Sequence, residues 1–361
     1  MGQLNSMIPD FWAGRRVFLT GHTGFKGAWL TLFLTQMGAR VHGYALAPPT
    51  TPSMFDVCGL AEGIEHEVAD IRDAERLAAS ISAFSPSIVL HLAAQPIVRD
   101  SYQIPVETYA VNVLGTAHLL DAVRQTEGVE ATVIVTSDKC YENRETIWAY
   151  RENDPMGGSD PYSSSKGCAE LLTASFGRSF FQPGMGNGSI ASARAGNVIG
   201  GGDWANDRLV ADLMRALIAG REIVLRNPTA VRPWQHVLEP LSGYLAVTEH
   251  LVKKGPLAWE GWNFGPEPDS NHTVQTVAQA VRDLWQKPNA VRIEEDAGAP
   301  HEAGLLTLDS TKAKTGLGWR PRWNFVQAVS RTVEWYQAYA EGQDMRAVTL
   351  CQIAAYQKEG R

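Results

Sequence analysis

Short apolar runs and longer stretches of helical length take turns along the first half of the chain. Residues 15–21 (RRVFLTG) form a β-branched and aromatic run stopped by Gly21, and residues 28–38 (AWLTLFLTQMG) have the length and terminal glycine of a helix. The pattern then predicts a strand at 40–46 (RVHGYAL), a helix at 74–84 (AERLAASISAF) and a strand at 87–95 (SIVLHLAAQ). A helix at 112–125 (NVLGTAHLLDAVRQ) and a strand at 131–137 (ATVIVTS) follow. Several of these strands are apolar throughout, as strands of a parallel sheet covered on both faces must be. The predicted fold class is therefore α/β, a doubly wound parallel sheet.

From about Gly200 the pattern changes: Gly, Asp, Asn, Pro and Trp become frequent, and short helical pieces such as 208–220 (RLVADLMRALIAG) stand among loops. WNFG at 262–265 predicts one more strand of the first sheet, followed by a helix from 274 (VQTVAQAVRDLWQK). The expected organisation is a dinucleotide-binding domain at 14–198 with return segments at about 236–265. A smaller, interleaved substrate domain is expected at 199–235 and 266–350. There is no internal repeat and no low-complexity segment.

Composition narrows the class. A chain of 361 residues, 44% hydrophobic and 20% charged, can bury a sizeable core. Its net charge of −7 argues against nucleic acid or an anionic membrane as the main partner, since either favours a basic face. Cys58, Cys140, Cys168 and Cys351 lie far apart without metal-ligand spacing, so free thiols in a reducing compartment are expected and no metal site is read. The first residues lack the apolar core of a signal peptide, and no apolar stretch reaches the roughly 20 residues of a membrane span. A cytoplasmic location is expected.

Chemistry enters with TGHTGFKG, whose Gly21, Gly24 and Gly27 stand between the first strand and the first helix. Such a turn lets the backbone approach a pyrophosphate, which then sits on the helix N-terminus. The second strand ends without the acidic residue that usually holds a ribose, offering Tyr44 instead, and without an arginine for a 2′-phosphate; NAD is favoured over NADP. Asp70, in ADIRD, stands where a carboxylate could hold the adenine amino group; a solvated helix cap is the plainer alternative.

PYSSSKGCAELL carries Tyr162 and Lys166 four apart, on one face of a helix. An ammonium there is expected to stabilise a tyrosinate and lower its pKa towards neutrality, making a base for a substrate hydroxyl as hydride leaves carbon. One loop earlier, VIVTSDKCYE ends an apolar strand in Ser137, Asp138 and Lys139, an acid beside an amine. An exposed ion-paired loop is the plain reading of any Asp-Lys, but the C-terminal end of a strand in a doubly wound sheet is where ligands bind. Cys140 is expected to be a packed thiol.

Together with LHLAAQ, NVLGT, RAGNVIGGGDW, RPWQHVLEPLSGY and LDSTKAKTGLGW, these motifs resemble the extended short-chain dehydrogenase/reductase family along nearly the whole chain. Within it the chain is similar to the sugar-nucleotide dehydratases, most of all those acting on CDP-glucose. The resemblance implies a Rossmann domain and NAD held by Gly21, Thr23, Gly24, Phe25, Lys26, Gly27, Tyr44, Asp70, Ile71, Leu92, Ala93, Ala94, Asn112, Tyr162 and Lys166. It implies C4 oxidation with Tyr162 as base and Ser137 bonded to O4, then elimination across C5 and C6. In that elimination Asp138 is the acid, and Lys139 is either the C5 base or a cation on the enolate. Epimerases of the family follow the serine or threonine with small neutral residues, and many dehydratases follow it with Asp-Glu; Asp138-Lys139 departs from both and resembles the CDP-glucose branch.

Substrate contacts implied in the same way are Gln95, Ser137, Asn197, Arg208, Arg232 and His301, an arginine fork suiting a diphosphate. Trp204 and Trp234 could stack on a ring, although large aromatics are more often core. Asn112 is expected to hold, by side chain or backbone, the water linking Lys166 to solvent. The family pairs through the helices carrying Asn112 and Tyr162, so a homodimer is the expected minimum and a tetramer the alternative. A UDP-sugar 4-epimerase or another nucleotide-hexose dehydratase is the rival reading. An NAD sensor without catalysis would be expected to lack Tyr162 and Lys166.

Overall fold

The computed structural model describes residues 9–185, 188–225, 227–255, 259–286, 291–293 and 305–359. Its centre is a seven-stranded parallel sheet: β1 (Arg16–Thr20), β2 (Arg40–Ala45), β3 (Glu65–Val68), β4 (Ile88–His91), β5 (Ala131–Val135), β6 (Ser189–Ala195) and, much later in the chain, β11 (Glu260–Phe264). The order is β11-β6-β5-β4-β1-β2-β3, with every neighbouring pair parallel. The chain therefore winds outward one way from β1 and the other way from β4. The crevice where the order reverses lies between the C-terminal ends of β1 and β4, the place where doubly wound sheets bind ligands. The expected α/β class and the return strand at WNFG are both present.

Six short strands lie outside this sheet, among the described residues, in three pairs. These are β7 (Val198–Ile199) with β10 (Gln235–His236), β8 (Ile223–Leu225) with β13 (Val291–Ile293), and β9 (Val231–Pro233) with β12 (Asn271–Thr273). Residues of β7, β8 and β9 line the same cavity as the C-terminal ends of the large sheet's strands.

The helices, in chain order, are α1 (Pro9–Trp12), α2 (Phe25–Gln36), α3 (Met54–Val57), α4 (Ala74–Phe84), α5 (Val98–Gln103), α6 (Pro105–Tyr109) and α7 (Gly115–Arg124). There follow α8 (Pro161–Phe180), α9 (Leu209–Ile218), α10 (Leu238–Lys254), α11 (Val274–Trp285), α12 (Thr311–Gly316), α13 (Phe325–Ala340) and α14 (Met345–Lys358). The helix expected from residue 112 begins differently: Ala110–Leu114 form a π-helical turn between α6 and α7. Helix α2 shows why AWLTLFLT has no polar side. Every residue from Gly27 to Leu34 is buried, because α10 and α14 pack over the helix that the sheet carries beneath.

One buried carboxylate ties that cover down. Glu239, on α10, accepts from the backbone N–H groups of Trp323 (2.8 Å) and Arg322 (3.0 Å) and from the Tyr356 hydroxyl of α14 (2.6 Å). Burial pushes its carboxyl up to about 7.

Candidate active site

At the end of β1 the chain turns on Gly21, whose φ of +77° is open to glycine and strained for other residues. A Cβ on Gly21 would lie 2.7 Å from the Ala93 nitrogen, and one on Gly27 only 2.1 Å from the Gly21 carbonyl oxygen. These glycines let the turn, the strand end at Leu92 to Ala94 and the start of α2 close on one another. Helix α2 is capped by Gly24, which brings no side-chain acceptor to the first-turn N–H groups. Those groups, with Thr23, Phe25 and Lys26, border a cavity of about 1560 Å³. The tight turn and uncapped helix start fit the pyrophosphate of a dinucleotide.

The same cavity runs past Tyr44, Asp70 and Ile71 on one side and Leu92, Ala93 and Ala94 on the other. Tyr44 donates its hydroxyl to the Asp70 carbonyl (3.1 Å). Asp70 is not a helix cap, since Asp73 caps α4. Its carboxylate is held by Arg72 (Nη2 at 2.6 Å), which keeps it below the usual carboxylate range, so an adenine amino group would share it with that arginine. Arg76 is likewise bonded to Glu67, leaving both nearby guanidinium groups paired with carboxylates instead of offered to a 2′-phosphate.

Beyond the cofactor turn lies the end of β5. Ser137 caps the single 3₁₀ turn Asp138–Cys140, accepting from the Lys139 N–H (3.2 Å) and donating to Asp138 Oδ1 (2.9 Å). Ser137 also lies near enough to the Tyr162 phenol to lower its pKa. Asp138 is only 5% exposed, and burial raises its pKa even though Lys139, the Ser137 bond and Lys26 pull the other way. Cys140 is fully buried and its thiol is pushed well up, so it is packed rather than nucleophilic.

Tyr162 and Lys166 occupy the first turns of α8, which starts at Pro161 behind the Asp160 cap. Both line the cavity, and burial lowers the Lys166 ammonium to about 8 against the attraction of Glu170. The expected depression of the Tyr162 pKa is not found in the protein alone. Burial pushes the phenol up to about 12, with Asp138 adding to the rise; Ser137 and Arg208 only partly offset it. The spacing of four is present, and a further positive charge against the ring would lower the phenol again.

Asn112 and Gln95 stand behind the wall rather than on it. Asn112 Oδ1 accepts from the Gln95 N–H (2.8 Å), and its Nδ2 donates to the Gln95 carbonyl (3.1 Å) and to Ser165 Oγ (2.8 Å). Its side chain is thus committed to pinning the loop after β4 against α8. Gln95 turns its amide to the Ile97 carbonyl (2.9 Å).

Asn197, Arg208 and Arg232 also line the cavity, and Arg208 is oriented by Asp203 (Nη1 to Oδ2, 2.8 Å). His301 lies outside the described residues. Trp234 reaches the wall, whereas Trp204 is core, edge-on to Tyr336 at 5.1 Å. Sequence reading passed over Asp203 and Gly196, which also line the cavity although both lie in the quoted RAGNVIGGGDW. It also passed over Glu170, one turn beyond Lys166, which accepts from Thr136, from Ser192 Oγ (2.7 Å) and from Arg194 Nη2 (2.7 Å).

The chain and its fold are similar to those of known proteins. The GDP-mannose 4,6 dehydratase family profile matches residues 18–332. A CDP-glucose 4,6-dehydratase of Salmonella typhimurium is 51% identical, over 96% of this chain and 97% of its own length. Among solved structures, Thermus thermophilus UDP-glucose 4-epimerase complexed with NAD superposes with a TM-score of 0.75 at 26% identity, covering 89% of this chain and 99% of that one. Bacillus anthracis dTDP-glucose 4,6-dehydratase in complex with NAD shares the fold, with a TM-score of 0.75 at 20% identity over 92% of this chain and all of its own. The chain belongs to the nucleotide-sugar dehydratases of the extended short-chain dehydrogenase/reductase family.

Proposed function

We propose that the protein catalyses the NAD-dependent 4,6-dehydration of CDP-D-glucose to CDP-4-keto-6-deoxy-D-glucose and water. It is a hydro-lyase that returns its cofactor unchanged. The carrying observation is the acid–amine pair Asp138-Lys139 at the end of β5, on the same cavity as Ser137, Tyr162 and Lys166. The 51% identity to a CDP-glucose 4,6-dehydratase supports the choice of nucleotide.

The glycine turn, the α2 N-terminus and the Tyr44 and Asp70 side of the cavity would hold the dinucleotide. It would supply a hydride acceptor for C4, the hydride donor for C6 and, when oxidised, a positive charge. Tyr162 takes the O4 proton while Ser137 bonds the same oxygen and Lys166 steadies the phenolate. The C4 ketone so formed acidifies the C5 proton. Lys139 takes that proton as a neutral amine, holds the enolate as the ammonium so formed, and returns the proton to C5 when C6 is reduced. Asp138, whose pKa burial raises, gives its proton to the departing C6 hydroxyl, which leaves as water. Asn197, Arg208 and Arg232 are assigned to the nucleotide diphosphate.

The four free cysteines agree with a reducing, cytoplasmic setting, and no helix among the described residues is long and apolar enough to cross a membrane. The partner protein is a second copy of the chain, for reasons of surface argued in the Discussion.

The test is direct: incubate the protein and NAD with CDP-, dTDP-, GDP- and UDP-glucose, with GDP-mannose in parallel, and weigh the products. A 4-keto-6-deoxy product lighter by one water is expected from CDP-glucose. Dehydration of none of them would sink the proposal, and a C4 epimer of unchanged mass would favour the epimerase reading.

A further inference from the structure

In the sheet, β5 and β6 run parallel with Val135 against Ala193, and the Thr136 N–H donates to the Ala193 carbonyl (2.9 Å). Carried three positions past Val135 and Ala193, that register sets Asp138 against Gly196. The atoms agree: a Cβ built on Gly196 would stand 2.7 Å from Asp138 Oδ2 and 3.3 Å from its Cγ, closer than real Cβ atoms approach. The other carboxyl oxygen, Oδ1, is held by Ser137 at 2.9 Å. Asp138 is 5% exposed, so its carboxyl sits between the Ser137 hydroxyl and the bare α-carbon of Gly196. The backbone of Gly196 is not in the left-handed region, so it is not a φ requirement that calls for glycine here.

We infer that Gly196 is a positioning residue for the elimination half of the reaction: its missing side chain is the space in which the Asp138 acid stands. This inference rests on the proposed dehydration. A methyl group at 196 rotates the carboxyl away from Ser137 Oγ and away from the leaving C6 hydroxyl. It leaves Ser137, Tyr162 and Lys166, which serve the oxidation, in place. Because the atom that must move is the end of a side chain and the backbone is unstrained, the variant folds; misplacing a catalytic group by about 1 Å can cost roughly a hundredfold in rate.

The experiment is a single turnover of Gly196→Ala with NAD and CDP-glucose, followed by the absorbance of reduced nicotinamide and by product mass. In the unaltered protein the reduced cofactor is transient. In the variant it is expected to accumulate at close to the normal rate and persist, while 4-keto-6-deoxy product forms roughly a hundredfold more slowly. A variant that dehydrates at the normal rate overturns the inference. So does one that loses oxidation and elimination together, because Gly196 would then act on substrate binding beside Asn197. Thermal melting of Gly196→Ala and of the double variant Asp138→Ala, Gly196→Ala covers a folding defect. Recovery of the melt in the double variant supports the contact, and an equal defect in both overturns it. If the unaltered protein dehydrates no glucose nucleotide, it is the proposed function that fails, not the geometry of this contact.

Discussion

Ser137, Asp138 and Lys139 are contiguous, yet their surroundings separate them. Ser137 is a cap bonded to Asp138, Asp138 is buried, and Lys139 is half-buried on the cavity wall. Asp138 and Lys139 therefore reach the cavity with no part in the oxidation assigned to Ser137, Tyr162 and Lys166, and Lys139 is the more open of the two. Lys139→Ala is expected to keep C4 oxidation within about threefold while elimination falls by two or more orders of magnitude, the scale of lost general acid–base catalysis. Accumulation of reduced nicotinamide with no loss of water from the substrate is the reading that checks it. Equal loss of both steps would contradict the assignment. These residues were legible in the sequence because the chemistry is written in consecutive letters at a strand end. Gly196 and Asp203 were not, since their part depends on contacts across the sheet edge and with Arg208 that spacing along the chain does not encode.

At the scale of elements, the pair Glu170–Arg194 fastens the catalytic strand end to its neighbours. Glu170 of α8 binds Thr136 beside β5 and Ser192 of β6, and Arg194 of β6 donates to Tyr141 (2.7 Å), which in turn donates to Asn263 of β11 (2.8 Å). Both charges are buried, at 0% and 1% side-chain exposure. Removing one partner leaves the other uncompensated, so Arg194→Met is expected to destabilise by about 3–5 kcal/mol in denaturant unfolding, with Glu170→Met, Arg194→Met recovering much of that. A cost under about 1 kcal/mol would show that the pair does not fasten these elements. The apolar strands β1, β4 and β5 could be read from hydrophobic runs. Strand β6 (SIASARA) could not, because close packing of α8 and α10 on it selects small residues of poor strand propensity. Nor could β3 (EHEV), an edge strand whose side chains are mostly wet. Helix α10 was hidden by Pro240 in its first turn and by Gly243, where a Cβ would lie 2.3 Å from the Phe264 ring.

For the whole molecule, several large apolar side chains stay exposed among the described residues, three of them on α6, the π-helical turn and α8. Val106 on α6 is 81% exposed, Leu114 at the end of the π-helical turn 56%, and Leu171 on α8 61%. The three elements pack against one another, α8 being the Tyr162 helix itself, and we propose that these side chains share one face. A two-fold pairing of that face with itself would cover α6, the π turn and α8 on both copies, the isologous contact that most dimers use. Such a dimer would also clamp the helix holding Tyr162 and Lys166 from the side opposite the sheet, steadying the catalytic end of α8. A double variant, Leu114→Glu with Leu171→Glu, places two carboxylates on each half of the proposed contact and leaves the cavity untouched. Light scattering after size exclusion is expected to give twice the chain mass for the unaltered protein and a single chain mass for the variant. The melting temperature of the variant should become independent of protein concentration, because mass action no longer links folding to assembly. If the unaltered chain is already monomeric at micromolar concentration, or if the variant still pairs, the contact lies elsewhere and α8 is steadied by its own fold alone.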